Sequence, residues 1–206
     1  MTREKSIILT AKVISLVFKP FYLPVMGLIA LFLFSYMSLL PWGYKFQVLL
    51  MVYLLTGVLP RLLIHLYRRY QGWTLIQLGN KERRMVPYVI SILCYFLCIY
   101  LMDHLHSPHF MSNIVGAALF IQIVCALINV WWKISTHTAA IGGVAGALFV
   151  FGEFFNFNPV WWLCFVFVLA GVLGTSRMIL RQHSLAQVVA GFFVGIGCSI
   201  LGLLSL

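Results

Sequence analysis

Acidic residues are nearly absent from this chain. Glu4, Glu82, Asp103 and Glu153 are the only four among 206 residues. With so few, no carboxylate cluster is left to hold magnesium or a pair of metal ions. Charge of either sign is scarce: Asp, Glu, Lys and Arg together make 9% of the residues, against 63% hydrophobic. The mean hydropathy of +1.02 lies far outside the soluble range. One soluble core has no room for so much apolar surface, so lipid is the solvent for most of the chain. No basic helix or aromatic platform stands clear of the apolar runs, which argues against nucleic acid as a partner despite a formal net charge of +10. Disulfide and zinc contexts are missing too. Cys94, Cys98, Cys125, Cys164 and Cys198 all lie inside apolar runs and read as small buried hydrophobes.

What is present is a series of apolar stretches. A helical span needs roughly 20 apolar residues, and candidates occur at about 21–40, 45–66, 86–103, 111–131, 137–152, 158–174 and 185–205. The expected fold is an all-α, polytopic transmembrane bundle of six or seven spans in a single integral membrane domain. Residues 1–77 are expected to hold an N-terminal interfacial helix and two spans, and residues 78–206 the functional core. Lys12 and Lys19 break the first apolar stretch and no small-x-small cleavage site follows, so residues 5–19 read as a retained amphipathic helix. Gly142, Gly143 and Gly146, and the Gly191-x-x-x-Gly195 pair, predict close helix contacts.

Three polar islands interrupt this pattern: Lys81-Glu-Arg-Arg84, Lys133-Ile-Ser-Thr-His137 and Ser176-Arg177 with His183. Ionisable groups are costly near a bilayer. Counting crossings puts all three islands on one face, because two spans separate each island from the next. The same parity gives that face nearly all the cations and leaves Lys45, Asp103 and Glu153 on the other. The positive-inside rule makes the island face cytoplasmic.

As chemistry, the islands suit a phosphate. Lysine supplies a point charge and arginine a planar fork for phosphoryl oxygens. Phosphoryl transfer depends on positioning and charge stabilisation. The cations are Lys81, Arg83 or Arg84, and Arg177; the histidines are His137 and His183. Ser135, with the backbone N–H groups of Ser135 and Thr136, stands at the start of a span, where a helix presents unpaired donors to an anion. The run Asp103-His104-Leu-His106-Ser-Pro-His109 has metal-ligand residue types but falls on the far face, and reads as a solvated turn.

Ser176-Arg177-x-x-x-x-x-His183 resembles the third signature of the type 2 phosphatidic acid phosphatase superfamily. Ile134-Ser135-Thr136-His137 resembles its second, Pro-Ser-Gly-His, and Lys81-Glu-Arg-Arg84-Met-Val-Pro87 a compressed form of its first. The resemblance covers about residues 78–200. It implies a divergent bacterial lipid phosphate phosphatase that works without cofactor or metal. It implies that His183 attacks phosphorus to give a phosphohistidine, and that His137 protonates the leaving group and then activates water. Lys81, Arg83 or Arg84, Arg177, Ser135 and Thr136 would hold the phosphoryl oxygens. The family's aspartate four residues after the nucleophile is Gln187 here, which is expected to accept the His183 ring N–H. The implied substrate is a lipid phosphate in the bilayer, and the implied location is a bacterial inner membrane, whose outer face is where many relatives act. Gln187 and Thr136 also keep open a second reading, a catalytically inactive binder or carrier of anionic phospholipids.

Overall fold

The computed structural model describes residues 3–72, 85–156 and 158–204. Among these, nine α-helices and no strands occur: α1 (Arg3–Val17), α2 (Leu23–Phe34), α3 (Trp42–Val52), α4 (Leu59–Tyr70), α5 (Met85–His104), α6 (His109–Trp131), α7 (Thr136–Phe155), α8 (Val160–Ile179) and α9 (Leu185–Leu204). Seven stretches are long and apolar enough to cross a membrane: Glu4–Phe34, Trp42–Tyr70, and α5 to α9 one by one. The chain is a multi-pass, all-α membrane protein, as its hydropathy requires.

The first two stretches are broken helices. α1 covers the segment expected at the interface and packs along α8 with Ala11 and Ser15 buried. It ends at Val17, before Pro20, whose ring lacks an N–H. One turn of 3-10 helix, Pro20–Tyr22, then leads into α2, so the first crossing stretch begins well before residue 21. Between α3 and α4 the helix widens into a π-turn, Tyr53–Val58, where the Leu59 N–H reaches back to the Leu54 carbonyl. Pro60 follows and has no N–H to give. The Thr56 hydroxyl meanwhile donates to the Val52 carbonyl at 2.8 Å. Inserted turns of this kind recur at functional sites, and Arg61 comes three residues after this one.

The centre of the bundle is the pair α7 and α9, the most closely packed of all the helix pairs. In lipid, helices associate by van der Waals fit, which favours small residues at the seam. The glycines provide that seam. A methyl group on Gly142 would collide with the Phe192 carbonyl, and one on Gly195 with the Ala139 carbonyl. One on Gly146 would stand 2.7 Å from the Ile196 carbonyl oxygen. Away from this seam, Leu28, Leu31, Val52, Tyr95, Met111 and Phe151 form a second buried cluster.

The connections among α5 to α9 are short, so consecutive helices alternate in direction and their ends collect at two levels. Trp131 ends α6 and Trp161 stands in the first turn of α8, both largely exposed, as expected of interfacial belts. Four of the five cysteines are buried. Cys164 is exposed on α8, which corrects the expectation that all five are buried: its position faces outwards from the bundle.

Candidate phosphate site

The second and third islands meet at one end of the bundle. Ser135 is the N-cap of α7, with extended backbone and a side chain that accepts from the Thr138 N–H at 3.5 Å. Its carbonyl accepts from the Thr138 hydroxyl at 3.0 Å. Its own N–H is directed at the Gln187 carbonyl of α9, at 3.4 Å. Gly191 makes this approach possible, since a methyl there would lie 2.5 Å from Thr138 Oγ1 and 2.6 Å from the Ser135 carbonyl oxygen.

The interval between Arg177 and His183 has a backbone cause. α8 ends in a Schellman turn: the Gln182 N–H bonds the Arg177 carbonyl at 3.1 Å and the Arg181 N–H bonds the Met178 carbonyl at 2.9 Å. Arg181 takes the left-handed conformation (φ 52°) usually left to glycine. The chain therefore doubles back at once, and His183 comes to the same level as Arg177.

His183, two residues ahead of α9, is then oriented by the first turn of that helix. Its Nδ1 lies 3.2 Å from Gln187 Oε1, and the Ser184 N–H donates to the same oxygen at 3.2 Å. An oxygen that already accepts a backbone N–H must face a donor on His183. Nδ1 accordingly bears the proton, and the lone pair of the neutral ring sits on Nε2. Gln187 thus accepts the ring N–H as anticipated, and also ties His183 to the cap of α7 through its main chain.

His137 stands in the first turn of α7. The charges of Arg177, His183 and Lys19 reach its ring, and the Ser15 backbone of α1 faces it. Its Nδ1 is buried without a hydrogen-bond partner. So are Arg177 Nε, Arg61 Nε and Nη2, and Ser15 Oγ. Among the described residues these are all the buried side-chain polar atoms left unpaired. Folded proteins satisfy nearly all such groups because orphaning one costs about 1–3 kcal/mol. That the orphans are three basic side chains and a serine from the same region marks a place waiting for an anion.

Two cavities meet at His137. One, of about 320 Å³, is lined by Lys19, Arg61, Tyr88, Gln122, Thr136 and His137 among others. The second, of about 460 Å³, is an apolar groove between α2, α7 and α8, with Met26, Leu33, Val144, Trp162 and Phe165 in its walls. Lys19 and His137 belong to both.

The expected site residues separate into three groups. His137, Arg177, His183, Gln187 and Thr136 converge. Ser135 is fully buried and outside both cavity linings. Its hydroxyl oxygen accepts from the Thr138 N–H and its own N–H is directed at the Gln187 carbonyl, which fixes the start of α7. Lys81, Arg83 and Arg84 lie outside the described residues; Pro87 and Tyr88, which follow them, line the cavity. Lys19 and Arg61 are additions. The signal was there, a cation beside a proline inside an apolar stretch in both cases, but the positive-inside rule absorbed it. At the opposite end, Asp103, His104, His106 and His109 are exposed. Among the described residues no three His, Cys, Asp or Glu side chains are grouped to hold a metal ion.

Residues 129–205 match the family model of the PAP2 superfamily. No curated protein and no solved structure is found to be similar to the chain. The matched residues run from Asn129 near the end of α6 to the end of α9 and include His137, Arg177, His183 and Gln187. The match supports phosphatase activity on phosphate esters.

Proposed function

The chain carries a PAP2 superfamily segment over residues 129–205, and we propose on that premise that it is a membrane lipid phosphate phosphatase working through a phosphohistidine at His183. The observation that carries the lipid reading is the junction at His137 and Lys19. There a polar cavity, lined by Lys19 and by the unpaired nitrogens of Arg61 and His137, adjoins an apolar groove between helices. A phosphate headgroup suits the first and an acyl or prenyl tail the second.

The lone pair of His183 Nε2 forms a bond to phosphorus while the bond from phosphorus to the leaving oxygen breaks and its electron pair stays on that oxygen. Protonated His137 gives its proton to the same oxygen. The His183 ring becomes cationic, and the Gln187 oxygen at Nδ1 stabilises it, less than a carboxylate would. Arg177 holds the phosphoryl oxygens, with Lys81 and Arg83 or Arg84 as further cations from the first island. Neutral His137 next takes a proton from water; the oxygen attacks phosphorus, the P–N bond breaks, its electron pair returns to Nε2, and inorganic phosphate leaves. Two histidines perform the proton and nucleophile steps, so with so few acids in the chain the reaction is proposed to need no metal. The proposed setting is a bacterial inner membrane.

The test is phosphate release by the purified protein, with chelator present, from phosphatidate, phosphatidylglycerophosphate, an isoprenyl diphosphate and a lipid A phosphate. Release from at least one, with an acid-labile phosphoprotein formed during turnover and absent in His183→Ala, is the expected result. Undiminished release by His183→Ala removes the mechanism. Tight binding of these lipids without any release replaces the enzyme with the carrier.

A further inference from the structure

The apolar groove has a closed end. Its floor is α7, with Ala140, Val144 and Leu148, and its walls are α2 and α8. Both walls pack on α7 but not closely on each other, which leaves the space between them. Lys19 and His137 stand at one end. At the other, Phe34, the last residue of α2, and Trp162, in the first turn of α8, bridge the two walls. Their rings meet edge to face with centroids 5.2 Å apart. Chain direction fixes which end is which: α2 and α7 run away from the level of the site and α8 returns to it. The lining extends on α2 from Leu23 to Phe34, on α7 from His137 to Leu148, and on α8 from Leu173 back to Trp162. Each interval is eleven residues, or about 16 Å at roughly 1.5 Å per residue. That is a little over half of the hydrocarbon core of a bilayer, about 30 Å. Leu33 and Phe165 in the walls are more than half exposed, so the groove is open sideways to lipid.

We propose that this groove measures the hydrocarbon chain of the reacting lipid, and that the Phe34–Trp162 pair is the stop that limits the chain to about 12 carbons. This selectivity rests on the phosphatase reading above and extends it. The occupant is the substrate's own chain because of where the groove begins. His137, which in that reading protonates the leaving oxygen, is part of the lining, so a chain esterified to that oxygen starts where the groove starts. An extended chain with C–C bonds of about 1.5 Å advances about 1.3 Å per carbon, so a groove of about 16 Å takes about 12 carbons. The hydrophobic effect does not discriminate here, since lipid tails are as apolar as the groove. Fit discriminates. A shorter chain leaves part of the wall without partner atoms. A longer one has to displace two rings that hold each other, one of which, Phe34, packs on the buried cluster of Leu148, Leu163 and Val166.

The experiment measures phosphate release from monoalkyl phosphates of about eight to eighteen carbons, at equal mole fraction in phosphatidylcholine vesicles. The proteins are the wild type, Phe34→Ala, Trp162→Ala, Val144→Phe and Trp161→Ala. Wild-type kcat/KM should peak near about 12 carbons and fall about tenfold by about 16, within the range that extra methylenes cost in a closed apolar pocket. Phe34→Ala or Trp162→Ala should bring the longer substrate to within about threefold of the shorter. Val144 stands about 10 Å along the groove from His137, so Val144→Phe should move the peak to about 8 carbons. Trp161→Ala, at an exposed residue outside the lining, should leave the profile in place. A wild-type profile without a peak, or a peak unmoved in both alanine variants, overturns the measuring groove. Should neither alanine variant fold, an unmoved peak in Val144→Phe overturns it. If no alkyl phosphate is cleaved, the phosphatase reading is judged by the lipid panel above, and calorimetric binding of dodecylphosphonate and hexadecylphosphonate tests the groove. Tighter binding of the dodecyl chain, with the difference lost in Trp162→Ala, sustains it, and equal binding to the wild type overturns it.

Discussion

In α7 and α9 the backbones touch. Glycines stand at each crossing point, so that Ser135 of one helix and Gln187 of the other share a hydrogen bond. In the stretches that hold α1 to α4 the helices are broken instead, by Pro20 in one and by a π-turn ahead of Pro60 in the other, and each break is followed or preceded by a cation. Residues of α7 and of the N-terminal region line the same two cavities. A nucleophile has to be held within a fraction of an ångström, and backbone-to-backbone packing leaves little freedom. On the proposed function, the matched residues would frame the chemistry, and the broken helices of the N-terminal region would supply the charge and the opening through which a lipid is chosen.

That division can be broken experimentally. His183→Ala should reduce phosphate release at least about a thousandfold on every substrate, since the covalent route is lost. A loss confined to one headgroup would mean that the frame also selects. His137→Ala should cost about 10²- to 10⁴-fold, the range for a general acid and base, measured as steady-state phosphate release. Packing is probed within one helix by Gly195→Val and Gly197→Val. The first drives a branched side chain into the Ala139 backbone, whereas a methyl on Gly197 meets nothing within 4 Å. Gly195→Val should destabilise the protein by about 1–3 kcal/mol and Gly197→Val should leave the detergent melting temperature in place. Equal melting temperatures would show that the seam is looser than described. Gln187→Ala should slow turnover by about threefold to tenfold through one lost hydrogen bond. Gln187→Asp should accelerate it, because a carboxylate steadies the imidazolium better than an amide. A slower Gln187→Asp would show that His183 is held by shape rather than by charge.

Much of this was legible in the sequence. Each helix from α5 to α9 follows from an apolar stretch of about 20 residues between polar punctuation. The glycine contacts follow from their spacing, and the convergence of His137, Arg177 and His183 from the parity of crossings. The pairing of His183 with Gln187 follows from the capping box that Ser184 and Gln187 form at the start of α9, with His183 just ahead of the helix. Other features were illegible for definite reasons. The Schellman turn before His183 uses Arg181 where glycine is the usual signal, so composition could not reveal it. That the Ser135 N–H is directed at the Gln187 carbonyl depends on the approach of α9, which chain order does not reveal.

Hydropathy, spacing and parity are properties of the chain order, and they determined the all-α multi-pass fold and the shared level of the second and third islands. They could not determine the rotation of one helix about its axis relative to another. That rotation is set by the break at Pro20, the inserted turn before Pro60 and the close contact of α7 with α9. It decides that Lys19 and Arg61 face His137 rather than lipid headgroups, and that Ser135 is buried. Side chains far apart in the chain become neighbours only when the packing energy of the whole bundle fixes every helix azimuth at once.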